Sequence, residues 1–438
     1  MITTLRNAFK VKEIRQRVLF TFLMLVVIRV AAQLPAPGVN RDYFAAWFAL
    51  QTGDAFNLFD AFTGGSFLNM SIIALNITPY ITSSIIMQLL TIAIPKLEEM
   101  QKDGEDGRKK IASITRYVTV GLALIESAAM AIGFGRQGLL QEYTAFNIIT
   151  VVLALTAGSA FLMWIGERIT DKGIGNGISI VLTINIVSRM PQEIIGLFNQ
   201  FVVGKDIAMG VVASIIIIAV IVLMIVLVVF LNDGVRKIPV QYAKKVQGRK
   251  LVGGNSTNIP LKVNTAGVIP VIFASSIMQF PVIICSLLGV TGGTGFWGKV
   301  LKGLSSSNWC KPSEPIYSIG LIVYILLLVF FAYFYTSVTF NPLEIADNMK
   351  RQGGFIPGIR PGKPTSEYLS RILNYVIFIG AFGLMIVSVV PFIFNGVFGA
   401  SVSFGGTSLI IVVSVIIETL KQVESLMLVR NYKGFLND

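Results

Sequence analysis

Residues 79–88 read PYITSSIIMQ, and residues 270–279 read PVIFASSIMQ. The two align without a gap. Six of the ten positions, Pro79, Ile81, Ser84, Ile86, Met87 and Gln88, recur as Pro270, Ile272, Ser275, Ile277, Met278 and Gln279. Isoleucine-rich segments match one another easily, but a proline and a glutamine at fixed offsets do not. Each copy lies in an apolar stretch of about 20 residues, the length a helix needs to cross a hydrocarbon core of roughly 30 Å. The repeat therefore relates two candidate membrane helices.

Working outward, ten stretches have that length and character: Val18–Leu34, Ile73–Ile94, Tyr117–Gly135, Phe146–Ile165, Ile178–Phe198, Ile207–Leu231, Gly267–Val290, Ile316–Val338, Ile372–Phe394 and Thr407–Val429. The repeat copies fall in the second and the seventh, so each is the second helix of a five-helix half. A weaker echo joins the fifth helices, Gly177-Ile178-Ser179 against Gly406-Thr407-Ser408. Five is odd, so equivalent helices cross in opposite directions. The expected fold is an all-α membrane protein of ten transmembrane helices in two inverted halves, residues 1–205 and 206–438. Such halves place their working site at the interface, on helices interrupted by Gly or Pro.

Composition agrees. Of 438 residues, 54% are hydrophobic and 13% charged, whereas soluble domains carry about 25% charged residues. The net charge of +13 sits in short loops, including Arg108-Lys109-Lys110, Lys244-Lys245, Arg249-Lys250 and Lys350-Arg351. A cytosolic N-terminus puts roughly 27 basic residues inside and roughly 7 outside, and an even number of spans returns the C-terminus to the cytosol. The basic segment before the first apolar run resembles a secretory signal, but nine further spans follow, so a retained first helix is expected. The inner loops Pro95–Arg116, Asn232–Ala266 and Asn341–Arg371 exceed the 2 to 8 residues or so that a helix connection needs. Their length and charge suit docking surfaces.

Catalysis finds little support. The chain has no histidine and two cysteines, which removes His-based metal sites, Ser-His chemistry and any disulfide framework. The string from Gly293 to Val300 has P-loop spacing, but Val300 lacks the hydroxyl that Mg²⁺ requires. Neither enzyme activity nor a cofactor is expected.

A different group of residues stands out. Ile81 and Ile85 share a helix face, as do Ile178 and Leu182. Ile272 is the repeat partner of Ile81, and Ile411 follows Gly406 by five residues as Leu182 follows Gly177. Singly, each is an ordinary packing residue; the pseudo-symmetry groups them as a ring. A narrow aliphatic ring offers ions neither charge nor hydrogen bonds and resists wetting, yet yields around a passing chain. A solute–ion secondary transporter, the alternative built on inverted repeats, needs polar ligands at its broken helices; those positions here are mainly aliphatic.

Four strings carry a resemblance: LNITPYI at 75–81, GIGNGIS at 173–179, PLKVNTAGVIP at 260–270, and NP at 341–342 through GGFIPGIRPG at 353–362. On these, the chain resembles the SecY family, the central channel subunit of the bacterial Sec protein translocon, from Val11 onward. The resemblance implies an hourglass channel for unfolded secretory polypeptides, with a lateral gate releasing transmembrane segments into the lipid. It assigns Ile81, Ile85, Ile178, Leu182, Ile272 and Ile411 to the pore ring, with Leu182 departing from the usual isoleucine. It assigns the plug, a short re-entrant helix, to about 62–71, with Phe62, Gly64, Gly65, Ser66, Phe67, Leu68, Asn69 and Met70. The gate would lie between spans two and three and spans seven and eight, with Gln88, Glu126, Ser275 and Gln279 as its polar residues. Arg236, Lys237, Lys244, Lys245 and Arg360 would dock the SecA motor ATPase and the ribosome. SecE and SecG are the implied small membrane subunits, signal peptides and nascent secretory chains the clients, and membrane lipids the surroundings. The implied location is the bacterial cytoplasmic membrane. Arg29, near the outer end of the first span, has the length to snorkel to the interface.

Overall fold

The computed structural model describes residues 9–50, 63–135, 138–203, 207–242, 245–247, 250–252, 256–287, 296–312, 314–398 and 406–434. Its helices are α1 Lys12–Ala31, α2 Arg41–Leu50, α3 Thr78–Ala93, α4 Pro95–Lys102, α5 Glu105–Gly135, α6 Ala145–Lys172, α7 Gly177–Phe201, α8 Ile207–Asp233, α9 Ile269–Leu287, α10 Phe296–Leu304, α11 Ile319–Thr339, α12 Pro342–Arg351, α13 Lys363–Phe398 and α14 Gly406–Gly434. Each of the ten apolar stretches coincides with a helix over most of its length.

Six segments among the described residues are long and apolar enough to cross a membrane: Glu105–Gly135, Ala145–Lys172, Gly177–Phe201, Gly210–Asp233, Pro315–Arg351 and Lys363–Val397. A seventh candidate pairs α3 with α4 across a 105° bend at Ile94-Pro95. The proline removes the donor that would continue the helix and pushes the residue before it to extended geometry; Ile94 is at φ −111°, ψ 110°.

The chain divides into two compact units. The first comprises Met1–Gly196, Val282–Lys299 and Val415–Asp438, the second Leu197–Pro281 and Val300–Ser414. In the first, α5 packs on α6 and α3, and α1 packs on α6. Hydroxyls join these helices: Thr119 Oγ1 donates to Ser83 Oγ at 2.9 Å, and Ser127 and Thr156 share a bond of the same length. Arg116 on α5 pairs with Glu167 on α6 at 2.6 Å. With no water to compete, such polar contacts replace the hydrophobic effect as glue between membrane helices.

The second unit packs α8, α11 and α12 against α13. It also holds structure that a reading for apolar runs misses. The loop after α8 is a hairpin of β1 Val235–Tyr242 and β4 Ser256–Lys262. Between them lie the short paired strands β2 Lys245–Gln247 and β3 Lys250–Val252. The loop after α12 contributes β5 Gly354–Phe355, which pairs with Gln241 and Tyr242 at the end of β1. Ile238, Val240, Leu261, Met349, Ile356 and Leu369 form one buried core beneath this sheet. Two loops far apart in sequence are thus a single folded base.

Candidate functional site

The two repeat copies fold alike at their starts. Asn76 and Gly267 both occupy the left-handed region, at φ +53° and +63°, three residues before Pro79 and Pro270. Each turn then hands the chain into a helix whose proline sits in the first turn, where no donor is needed. Ile81 N–H donates to Ile77 O at 3.1 Å, and Ile272 N–H to Val268 O at 3.2 Å. Burial follows the same register: Ser83 and Ala274 are fully buried, Met87 and Met278 nearly so, and Ile81 and Ile272 are half-buried. Ile85 lies one turn beyond Ile81 and is also half-buried. The fifth helices match as well, since α7 begins at Gly177 and α14 at Gly406. In the second turn of each, Leu182 and Ile411 are buried, and Ile178 is half-buried in the first turn of α7. The second span begins at Thr78 rather than Ile73, because the left-handed Asn76 prevents an earlier start.

The segment before α3 is expected as a short helix over 62–71. Phe62 lies outside the described residues, and residues 64–70 run as successive tight turns, not a regular helix. The reason is local: Gly64, Gly65 and Met70 sit at φ +67°, +85° and +41°, which helical hydrogen bonding does not tolerate in series. The segment is nonetheless firmly placed. Thr63, Ser66, Phe67 and Met70 are buried, with Leu68 and Asn69 half-buried. Phe67 meets Phe44 and Phe134 edge-on at 5.5 and 6.3 Å. Ala36 N–H donates to Met70 O at 2.8 Å, and Arg41 Nη2 to Asn69 Oδ1 at 2.7 Å. Arg29 does not merely reach for the interface: its Nη1 donates to Gly64 O at 3.3 Å.

A profile of the SecY family matches residues 71–420. The curated relatives are proteins named protein translocase subunit SecY. That of Streptomyces galbus is 44% identical over the whole of both chains, that of Halalkalibacterium halodurans 42% over the whole of both, and that of Mycobacterium bovis 40% over the whole of both. The chain belongs to the SecY family. Solved structures share the fold at lower identity. A protein-conducting channel superposes with TM-score 0.62 at 19% identity, covering 95% of this chain and 93% of that one. A SecY whose plug domain stabilises the closed state and maintains a membrane seal gives 0.62 at 21%, with the same coverage. A channel in a canine ribosome complex gives 0.60 at 18%, again covering 95% and 93%.

Within this SecY-family fold the other expected site residues separate. Gln88 is exposed and its Nε2 donates to Ser84 Oγ at 3.3 Å, one turn back on α3. Glu126 is half-buried on α5. Ser275 is half-buried on α9, and the Gln279 side chain lies outside the described residues. Arg236 and Lys237 are exposed on β1 of the folded base, and Arg360 is exposed in the turn between β5 and α13. That turn is pinned by Thr365 Oγ1 donating to Arg360 O at 2.8 Å. Lys244 lies outside the described residues; Lys245 is in β2, its side chain likewise outside. Sequence reasoning missed the pairing of the buried amides Asn76 and Asn185, whose only signal was their placement in apolar stretches.

Proposed function

We propose that this SecY-family chain is the protein-conducting channel of a Sec translocon, passing unfolded secretory polypeptides across the cytoplasmic membrane and releasing transmembrane segments sideways into lipid. It is a channel subunit and not an enzyme. The observation that carries the reading is the placing of Ile81, Leu182, Ile272 and Ile411 at equivalent turns of repeated helices, within a fold shared with protein-conducting channels. In this reading the ten helices form two inverted halves, 1–205 and 206–438, around an hourglass. Ile81, Ile85, Ile178, Leu182, Ile272 and Ile411 line its waist, and residues 62–71 act as the plug. The lateral gate lies between α3 and α5 on one side and α9 and α11 on the other. Both termini face the cytosol, supported by the basic loops.

Arg236, Lys237 and Arg360, exposed on the folded base, together with Lys244 and Lys245 would dock the SecA motor or the ribosome on the cytosolic side; guanidinium groups suit carboxylates and phosphates equally. SecE and SecG complete the membrane complex. The decisive experiment reconstitutes the chain in vesicles. Replacing Ile81 and Ile272 with Asn should raise resting ion flux, because hydrogen-bonding side chains wet the constriction. Transport of a secretory precursor should require SecA and ATP or a ribosome. Unchanged flux, or uptake of a small solute driven by an ion gradient alone, would make the chain a carrier instead.

A further inference from the structure

Each half carries a polar tie at the same place in its repeat, fully buried in the first half and partly buried in the second. In the first, Asn185 Nδ2 on α7 donates to Asn76 Oδ1 at 2.9 Å; both residues are fully buried. Asn76 is the left-handed residue that launches α3. Ser159 Oγ on α6 donates to Asn76 O at 3.2 Å. Asn185 also floors the plug segment, because a β-carbon on Gly64 would lie 2.8 Å from the Asn185 carbonyl oxygen.

The second half has Gly267 at the position of Asn76, and glycine supplies no amide. The tie is made another way. Asn264, three residues earlier, donates from Nδ2 to Asn232 Oδ1 at 3.0 Å, and Asn232 Nδ2 donates to Ser414 Oγ on α14 at 2.7 Å. Ser414 follows Ile411 by three residues, as Asn185 follows Leu182. The chemistry differs and the connection is the same: the fifth helix is bonded to the turn that launches the second. Unrelated side chains performing one connection at equivalent positions point to a shared task rather than to chance burial of polar groups.

The first tie joins α7 to the turn that launches α3; the second runs from α14 through Asn232, at the end of α8, to Asn264 in the turn that precedes α9. A bonded pair in an apolar medium has no water to exchange with, so it fixes the helices' mutual height and rotation. We propose that Asn185 with Asn76, and Ser414 with Asn232 and Asn264, are positioning residues of the constriction, each tie setting the register of the aliphatic side chains in its half. The inference rests on the channel reading above and adds to it the groups that hold the waist shut.

The test measures resting ion flux through the full chain in proteoliposomes, with folding followed by thermal melting in detergent. Asn76→Gly keeps the left-handed backbone that Gly267 adopts and removes only the amide. Asn185→Leu removes the other partner at similar volume. Each should raise flux by about threefold to fifteenfold, the population shift expected from losing one interhelical hydrogen bond. The double variant should be no leakier than either single. Ser414→Ala should leak and Ser414→Thr, which keeps the hydroxyl, should not. Wild-type flux in Asn76→Gly and Ser414→Ala overturns the proposal, as does leakage that Ser414→Thr fails to rescue or that merely tracks a lowered melting temperature. If Asn185→Leu does not fold, Asn76→Gly and the Ser414 pair still decide. Ile81→Asn is the control: if it leaks while the tie variants do not, the ties fail and the channel reading stands; if it does not leak, the channel reading itself fails.

Discussion

Gly64 is held at φ +67°, where an L side chain strains the backbone by about 1–2 kcal/mol. A β-carbon there would also stand 2.8 Å from the Asn185 carbonyl oxygen and 2.9 Å from Arg29 Nη1. Its neighbour Gly65 is equally left-handed, but a β-carbon would meet only Arg189 atoms, at 3.7 Å. The pair separates backbone strain from packing. Gly64→Ala should displace the segment and raise resting ion flux well above that of Gly65→Ala; equal flux from the two would show that contact with α7 does not hold the segment. The same scale shows where sequence runs out. Arg29 reads as a snorkelling cation because its partner, a carbonyl 35 residues away, carries no mark in the sequence. Nothing in the sequence marks Asn185 as the partner of Asn76.

At the scale of elements, the helices were legible and the folded base was not. Twenty-residue apolar runs announce themselves, since lipid leaves few alternatives for the backbone. The strand Val235–Tyr242 carries a proline at 239, and its partner carries Pro260, a composition that argues against a strand. Pairing nevertheless buries Ile238, Val240 and Leu261 with Met349 and Leu369, and that burial outweighs local preference. The base should respond differently to surface and core changes. Arg360→Glu reverses an exposed charge and should weaken motor-driven translocation while leaving protease resistance unchanged. Ile238→Ala leaves a cavity and should cost the base about 2–4 kcal/mol, read as faster proteolytic nicking within 235–262 with the helices intact. Full translocation by Arg360→Glu would remove that residue from the docking surface. Unaltered nicking of Ile238→Ala would mean the loops fold independently.

For the molecule as a whole, orientation is the property most open to test. Cys310 stands between α10 and α11, on the side opposite the basic loops in the cytosol-in arrangement. Burial pushes its thiol up from the ordinary range, so less of the reactive thiolate is present at neutral pH. In a Cys285→Ser background, an impermeant alkylating reagent should modify Cys310 from outside intact cells, slowly near neutral pH and faster as pH rises through the elevated value. A cysteine replacing Lys350 should react only after the membrane is opened. Labelling of the second site in intact cells would invert the topology.

From the sequence alone came the membrane character, the helices' approximate limits, the repeat that pairs 79–88 with 270–279 and the aliphatic positions. Hydropathy, charge and a gapless repeat are local or one-dimensional properties that survive without coordinates. Only the tertiary structure revealed that residues 64–70 are a run of turns, that two distant loops build one sheet, and that each half is tied by a different set of polar groups. Those outcomes depend on which side chains meet across more than a hundred residues, as Asn76 and Asn185 do. A hydrogen bond between such partners is set by packing geometry and leaves no periodicity in the chain.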